Sequence, residues 1–177
     1  NEGRTPKALY EYWAPKTQPL GTGGDMHFGF SFAAQAAEAE VDTQTGEAHV
    51  LRMIAAHDIG RAINPLALQG QIEGGIIMGL GNALTEEFIV EDGYVFTDTL
   101  ARYKMPSIKH APPLTSFIVE HETADGPYGA KGVGEIASIP TTPAITNAIY
   151  NACGVRVPEL PLTPDRVLAA LMKGGVA

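Results

Sequence analysis

The densest chemistry in the sequence lies between Gly126 and Glu135, GPYGAKGVGE, where four glycines surround one lysine and the run ends in a carboxylate. Gly126, Gly129, Gly132 and Gly134 free the main chain to approach a ligand closely and to turn N–H groups toward anionic oxygens, and Lys131 can add a positive charge. Glu135 places a carboxylate beside the same space. The same ten residues also read as a surface turn before a helix, with Lys131 and Glu135 in solvent. A Walker A loop is excluded, because Ala130 precedes and Gly132 follows Lys131 where that motif needs Gly and Ser or Thr. Gly132-x-Gly134-x-x-Ala137 matches the relaxed dinucleotide fingerprint, but Gly126 to Lys131 separates it from the preceding strand and no βαβ unit surrounds it.

Other reactive side chains are scattered. His27, His49, His57, His110 and His121 form no H-E-x-x-H, and only His57-Asp58 is a close pair of histidine and carboxylate, so no metal ligands are assigned. Cys153 follows an apolar stretch and reads as a packed thiol.

Lys and Arg number 12 against 20 Asp and Glu, a net charge of -8. That charge repels phosphate backbones and acidic membrane surfaces, so neither nucleic acid nor a membrane is an expected partner. One cysteine cannot make an internal disulfide or a thiolate cluster, which favours a reducing compartment, the cytoplasm. No apolar run reaches the ~20 residues of a membrane span, and no signal-peptide core follows Asn1. The chain opens at Asn1 rather than Met, as a fragment or a processed chain would. With 177 residues it is expected to hold one folded domain, or two small halves sharing a core.

Several elements must carry the glycine loop. Residues 1–25 read as an N-terminal segment and linker, with a short element possible over Asn1 to Trp13 and the folded domain spanning 26–177. Alternation from Phe28 to Val41, a turn over Asp42 to Gly46 and a return over Glu47 to Ala56 predict a hairpin. Phe88 to Thr97 predicts another, turning at Asp92-Gly93, and Ser116 to Glu122 a further strand. Helices are announced by Asn64-Pro65, Thr142-Pro143 and Thr163-Pro164, each a capping side chain before a proline at the first helical position. Gly154 stops the second helix, and Gly174, after Lys173, the third. The fold class is therefore α+β, with β-hairpins and a mixed sheet packed with helices. In the first helix Gly70, Gly74, Gly75, Gly79 and Gly81 each cost about 0.8–1.0 kcal/mol relative to Ala, which demands close approach to another element or to a ligand.

The run His57 to Phe88, HDIGRAINPLALQGQIEGGIIMGLGNALTEEF, together with GAKGVGE and LPLTPDRVLAAL, resembles the C-terminal part of the molybdenum-binding subunit of the xanthine dehydrogenase and aldehyde oxidase family. Three motifs in the right order, across about Phe28 to Leu171, carry the likeness. It implies that Glu135 is the active-site base, that Gln71 of the G-Q-x-E-G motif contacts the cofactor, and that Lys131, Gly132, Val133 and Gly134 run beside it. The implied cofactor is molybdopterin with molybdenum, in the cytosine dinucleotide form usual for bacterial enzymes with separate subunits. Iron-sulfur and FAD would sit on partner subunits or domains.

The implied reaction is hydroxylation of a heteroaromatic or aldehyde carbon with water as the oxygen source, purine being the first expectation for substrate. The family's molybdenum subunit is several times longer, and its other cofactor loops lie upstream, so the remainder of that subunit is an implied partner. Two other readings stay open at this point: a non-catalytic structural or assembly domain of such a complex, and a nucleotide-binding module built on the Gly132 loop.

Overall fold

Alternation of small or apolar residues with exposed ones from Phe32 to Val41 makes β1, and Ala48–Asp58 returns antiparallel to it as β2. The computed structural model describes residue 3 and residues 5–174; Asn1, Glu2, Arg4 and Gly175 to Ala177, which belong to the expected N-terminal segment and domain end, lie outside the described residues. The turn forms where expected: the Asp42 carboxylate accepts from the Gln44 and Thr45 amides at 2.8 and 3.2 Å. The first strand starts later than the expected Phe28, because its partner ends at Asp58 opposite Phe32. Beyond that point the Ile59 amide bonds to Val119 and the Ile59 carbonyl to Lys131, leaving no ladder for Phe28 to join.

Helix α1, Pro65–Leu84, begins at the expected cap, with Asn64 Oδ1 accepting from the Ala67 amide at 3.1 Å. The expected hairpin over Phe88 to Thr97 shrinks to two-residue strands β3, Val90–Glu91, and β4, Tyr94–Val95, around Asp92-Gly93. The short helix α2, Leu100–Tyr103, follows. Strand β5 covers Leu114–Val119 rather than Ser116 to Glu122 and pairs parallel to β2, which completes a mixed sheet of order β1-β2-β5.

Helix α3, Thr141–Cys153, begins one residue before the expected Thr142 cap, with Pro140 at its N-cap position. The hydroxyl of Thr142 is committed elsewhere, donating to the Gly79 carbonyl at 3.0 Å. Gly154, at φ +75°, ends α3 as expected, and α4 spans Pro164–Gly174 with Lys173 in its last turn.

The inner face of the sheet carries Met53, Ala55 and His57, all buried. Helix α3 covers the β1 side and α1 the β5 side, and Ile72, Ile76, Ile145, Ile149, Val167 and Leu171 fill the space between the layers. The glycines of α1 divide into two sets. A Cβ on Gly75 would stand 2.6 Å from the Ala137 Cβ, one on Gly79 2.5 Å from the Thr141 Cβ and one on Gly81 2.8 Å from the Pro106 Cδ, whereas Gly70 and Gly74 face open space. Close packing therefore accounts for Gly75, Gly79 and Gly81 and leaves Gly70 and Gly74 as an uncovered strip of backbone. The outer face of the sheet is uncovered too, and its Phe32 and Phe117 are 68% and 56% exposed.

Candidate functional site

The site is assembled where β2 leaves the sheet. The Lys131 amide donates to the Ile59 carbonyl at 2.8 Å and the Arg61 amide to the Gly129 carbonyl at 3.1 Å, zipping the glycine loop onto residues 59–61. Gly60 makes this possible: at φ +64° it lies in left-handed space, and a Cβ there would strike the Gly129 carbonyl. Asn64 starts α1 at once, so Gln71, two turns along the helix, comes to face the loop. Gln71, Lys131 and Val133, three of the sequence-predicted residues, line one groove of about 250 Å³ with Ile59 and Arg61.

Lys131 is not the mobile cation that its loop position promises. Its ammonium lies 2.6 Å from Asp58 Oδ2, with only 7% of the Lys131 side chain and 11% of the Asp58 side chain exposed. Burial pushes the Asp58 carboxyl up, but the Lys131 hydrogen bond, the Gly60 amide, the Lys131 charge and the His121 amide outweigh it and hold the group below its ordinary value. The positive charge left for a ligand in this groove belongs to Arg61, which is exposed and whose guanidinium makes no hydrogen bond or ion pair among the described residues.

The following loop segment offers main-chain donors. Among the described residues the amides of Gly132, Val133, Gly134 and Glu135 donate to nothing, while Ser31 Oγ donates to the Gly132 carbonyl at 3.0 Å. A Cβ on Gly132 or Gly134 would meet only open space, so a ligand can approach this backbone closely. Gly132 lines a second, adjoining cavity of about 440 Å³ with Lys131, Ser31 and Phe28. Gly134 and Glu135 line neither cavity; Glu135 is exposed on the next turn, and its carbonyl accepts from the Ser138 amide and hydroxyl, both at 3.0 Å.

A polar cluster beneath this turn has no counterpart in the sequence reading. Gln35 on β1 donates from Nε2 to the Ala137 carbonyl at 2.7 Å, and its Oε1 accepts from Thr141 Oγ1 at 2.6 Å. The same Nε2 lies 3.4 Å from His57 Nε2. His57 is fully buried, burial lowers its basicity, and its Nδ1 has no partner among the described residues. His57 and Asp58 cannot act as a ligand pair, because successive strand residues point to opposite faces of the sheet. No group of three or more His, Cys, Asp or Glu side chains able to hold a metal occurs among the described residues.

The signals for Arg61 and Gln35 were weak. A single arginine after a strand and a single glutamine in an alanine-rich strand carry no spacing pattern that separates them from solvent-facing neighbours.

The donor set suits a large oxygen-rich anion: a guanidinium, a carboxamide and four consecutive free amides, set among exposed glycines. A molybdopterin nucleotide, with its phosphates and its flat polar ring system, fits that description.

Comparison with known proteins agrees. The family model of the molybdopterin cofactor-binding domain matches residues 4–112. The chain is 37% identical over 162 residues to a probable xanthine dehydrogenase subunit of Bacillus subtilis, covering 92% of this chain and 22% of that protein. It is 38% identical over 144 residues to the aldehyde oxidoreductase molybdenum-binding subunit PaoC of Escherichia coli, covering 80% of this chain and 20% of that protein. Among solved structures, the aldehyde oxidoreductase of Desulfovibrio gigas superposes with a TM-score of 0.81 at 39% identity, over 90% of this chain and 17% of the other. The chain thus spans about a fifth of the length of the curated relatives it matches. With the family model matching residues 4–112 and these relatives covering most of the chain, the chain belongs to the molybdopterin cofactor-binding domain family of xanthine dehydrogenase and aldehyde oxidoreductase molybdenum-binding subunits.

Proposed function

We propose that this chain is the part of a molybdenum hydroxylase that supplies the general base and one wall of the cofactor site. The observation that carries the reading is the run of free amides at Gly132 to Glu135 beside the groove of Gln71 and Arg61, with the Glu135 carboxylate exposed on the same loop. Arg61, Gln71 and the loop amides would hold the anionic groups of the cofactor. Lys131 takes part by fixing the loop to β2, its amide donating to the Ile59 carbonyl and its ammonium to Asp58. When bound, molybdopterin supplies a two-electron redox centre at which oxygen from water is delivered to a substrate carbon. Glu135 accepts the proton released by the oxygen nucleophile on one of its carboxylate oxygens, and its exposure leaves it open to a substrate approaching from the uncovered side.

The substrate class is a heteroaromatic or aldehyde carbon, purine first, and the cofactor form is the cytosine dinucleotide. Electrons would leave to iron-sulfur and flavin partners. Relatives described as a probable xanthine dehydrogenase component and as the gamma subunit of a 6-hydroxypseudooxynicotine dehydrogenase complex support a heteroaromatic substrate and a multisubunit setting. The rest of the molybdenum-binding subunit is the further partner, and the apolar outer face around Phe32 and Phe117 supports its docking. A cytoplasmic location accords with the buried free thiol of Cys153.

The test is Glu135→Gln in the complete complex. Molybdenum and pterin contents should match the wild type while kcat/KM falls by roughly 10²- to 10⁴-fold, the range of a positioned general base. Turnover within a few-fold of wild type in the fully loaded variant removes Glu135 from the chemistry.

A further inference from the structure

We infer that Gln35 is a positioning residue for Glu135, holding the turn that carries the carboxylate against the sheet. The inference rests on the reading of Glu135 as the base.

The turn has few other ties to the sheet. Upstream, the amides of Gly132 to Glu135 are free, and Ser31 supplies one hydrogen bond, to the Gly132 carbonyl. Downstream, Ala137 is fully buried over Gly75 and Thr141 over Gly79, an apolar floor that resists inward movement but fixes no orientation. Hydrogen bonds inside the turn, from Ser138 and Ile139 to the Glu135 carbonyl and from the Thr141 hydroxyl, 3.0 Å from the Ala137 carbonyl, set its local shape; its orientation on the sheet comes from Gln35, whose carboxamide reaches the Ala137 carbonyl, two residues beyond Glu135, and the Thr141 hydroxyl that opens α3.

A carboxamide is the group this position needs. Its oxygen must accept from Thr141, and one N–H must donate to Ala137 while the other faces His57 Nε2. Glutamate lacks the donors, and methionine or leucine lacks both functions. His57 helps choose the orientation. Burial keeps it neutral, and in the tautomer with its proton on Nδ1 it presents Nε2 to Gln35 as an acceptor. A flipped amide would set Oε1 against the Ala137 carbonyl and that lone pair, two repulsive contacts in place of two attractive ones. The 3.4 Å separation from His57 makes this a weak bond, so the contact with Ala137 at 2.7 Å carries the restraint.

Placement of a base within hydrogen-bond reach governs the chemical step, not the first encounter with substrate. The experiment uses the complete complex carrying Gln35→Met, which keeps the length of the side chain and removes its polar functions. The expected result has four parts: molybdenum and pterin contents as in wild type, kcat reduced at least tenfold, KM within about threefold, and hydrogen exchange at the Ser138 and Ile139 amides at least tenfold faster while the β2 amides exchange as before. A kcat within threefold of wild type overturns the inference. So does unchanged exchange at Ser138 and Ile139, accelerated exchange spreading through β2, or loss of cofactor. If Gln35→Met does not assemble, Gln35→Glu, which retains the Thr141 contact and loses donation to Ala137, is read by the same criteria. Glu135→Gln measured alongside separates the two ideas. An active Glu135→Gln defeats the base reading whatever Gln35 does, whereas an inactive Glu135→Gln with a fully active Gln35→Met defeats only the positioning role.

Discussion

The Lys131 ammonium and the Asp58 carboxylate meet at 2.6 Å across 73 residues of sequence, joining the glycine loop to the last residue of β2. Removing one partner of such a buried pair leaves the other charge uncompensated, at about 3–5 kcal/mol. Asp58→Asn and Lys131→Met should each lower the free energy of unfolding by an amount of that order, and the double variant should lie closer to wild type than either single. The Asp58 carboxyl is held below its ordinary value of about 4, so its contribution is complete above that pH and lost as pH falls through the lowered folded value. Urea unfolding across pH checks both points. A double variant no more stable than the worse single, or an acid limb of stability unchanged in it, would show that the pair is not coupled.

Gly79 and Gly74, five residues apart in α1, should respond in opposite directions. Alanine at Gly79 would press on Thr141 and cost about 1–3 kcal/mol as an overpacked contact. At Gly74, where a side chain meets open space, the same change should stabilise by about 0.5–1 kcal/mol through helix propensity. Thermal unfolding of Gly79→Ala and Gly74→Ala tests the contrast, and equal shifts in both would mean that the Gly79 contact with α3 is not tight.

Arg61→Ala and Gln71→Ala should release cofactor without unfolding the chain. Both side chains are exposed, so stability should move by no more than about 0.5 kcal/mol. A lost charge-assisted hydrogen bond is worth about 1.5–3 kcal/mol, so Arg61→Ala should weaken retention by roughly ten- to a hundredfold and the neutral Gln71 by less. Molybdenum per complex after extensive dialysis is the measurement. Full occupancy in Arg61→Ala would leave the loop amides as the holders of the anionic groups.

Local chemistry was legible in the sequence. Asn64-Pro65 started α1, Gly154 ended α3 and Asp42 to Gly46 turned the first hairpin, because caps and turns are decided by a few adjacent side chains and backbone angles. The motif loop was legible for the same reason, and it does bring Lys131 and Val133 to one groove with Gln71. What the sequence could not show is what lies opposite each residue. Gly75 and Gly79 pack while Gly70 and Gly74 lie open, Lys131 spends its charge on Asp58, Thr142 bonds to Gly79 instead of capping α3, and Gln35 reaches a turn about a hundred residues away. Each of these depends on which face a side chain takes and on the register between distant strands and helices. A shift of one residue in that register would reverse every such pairing without altering any local signal, so only the tertiary structure decides them.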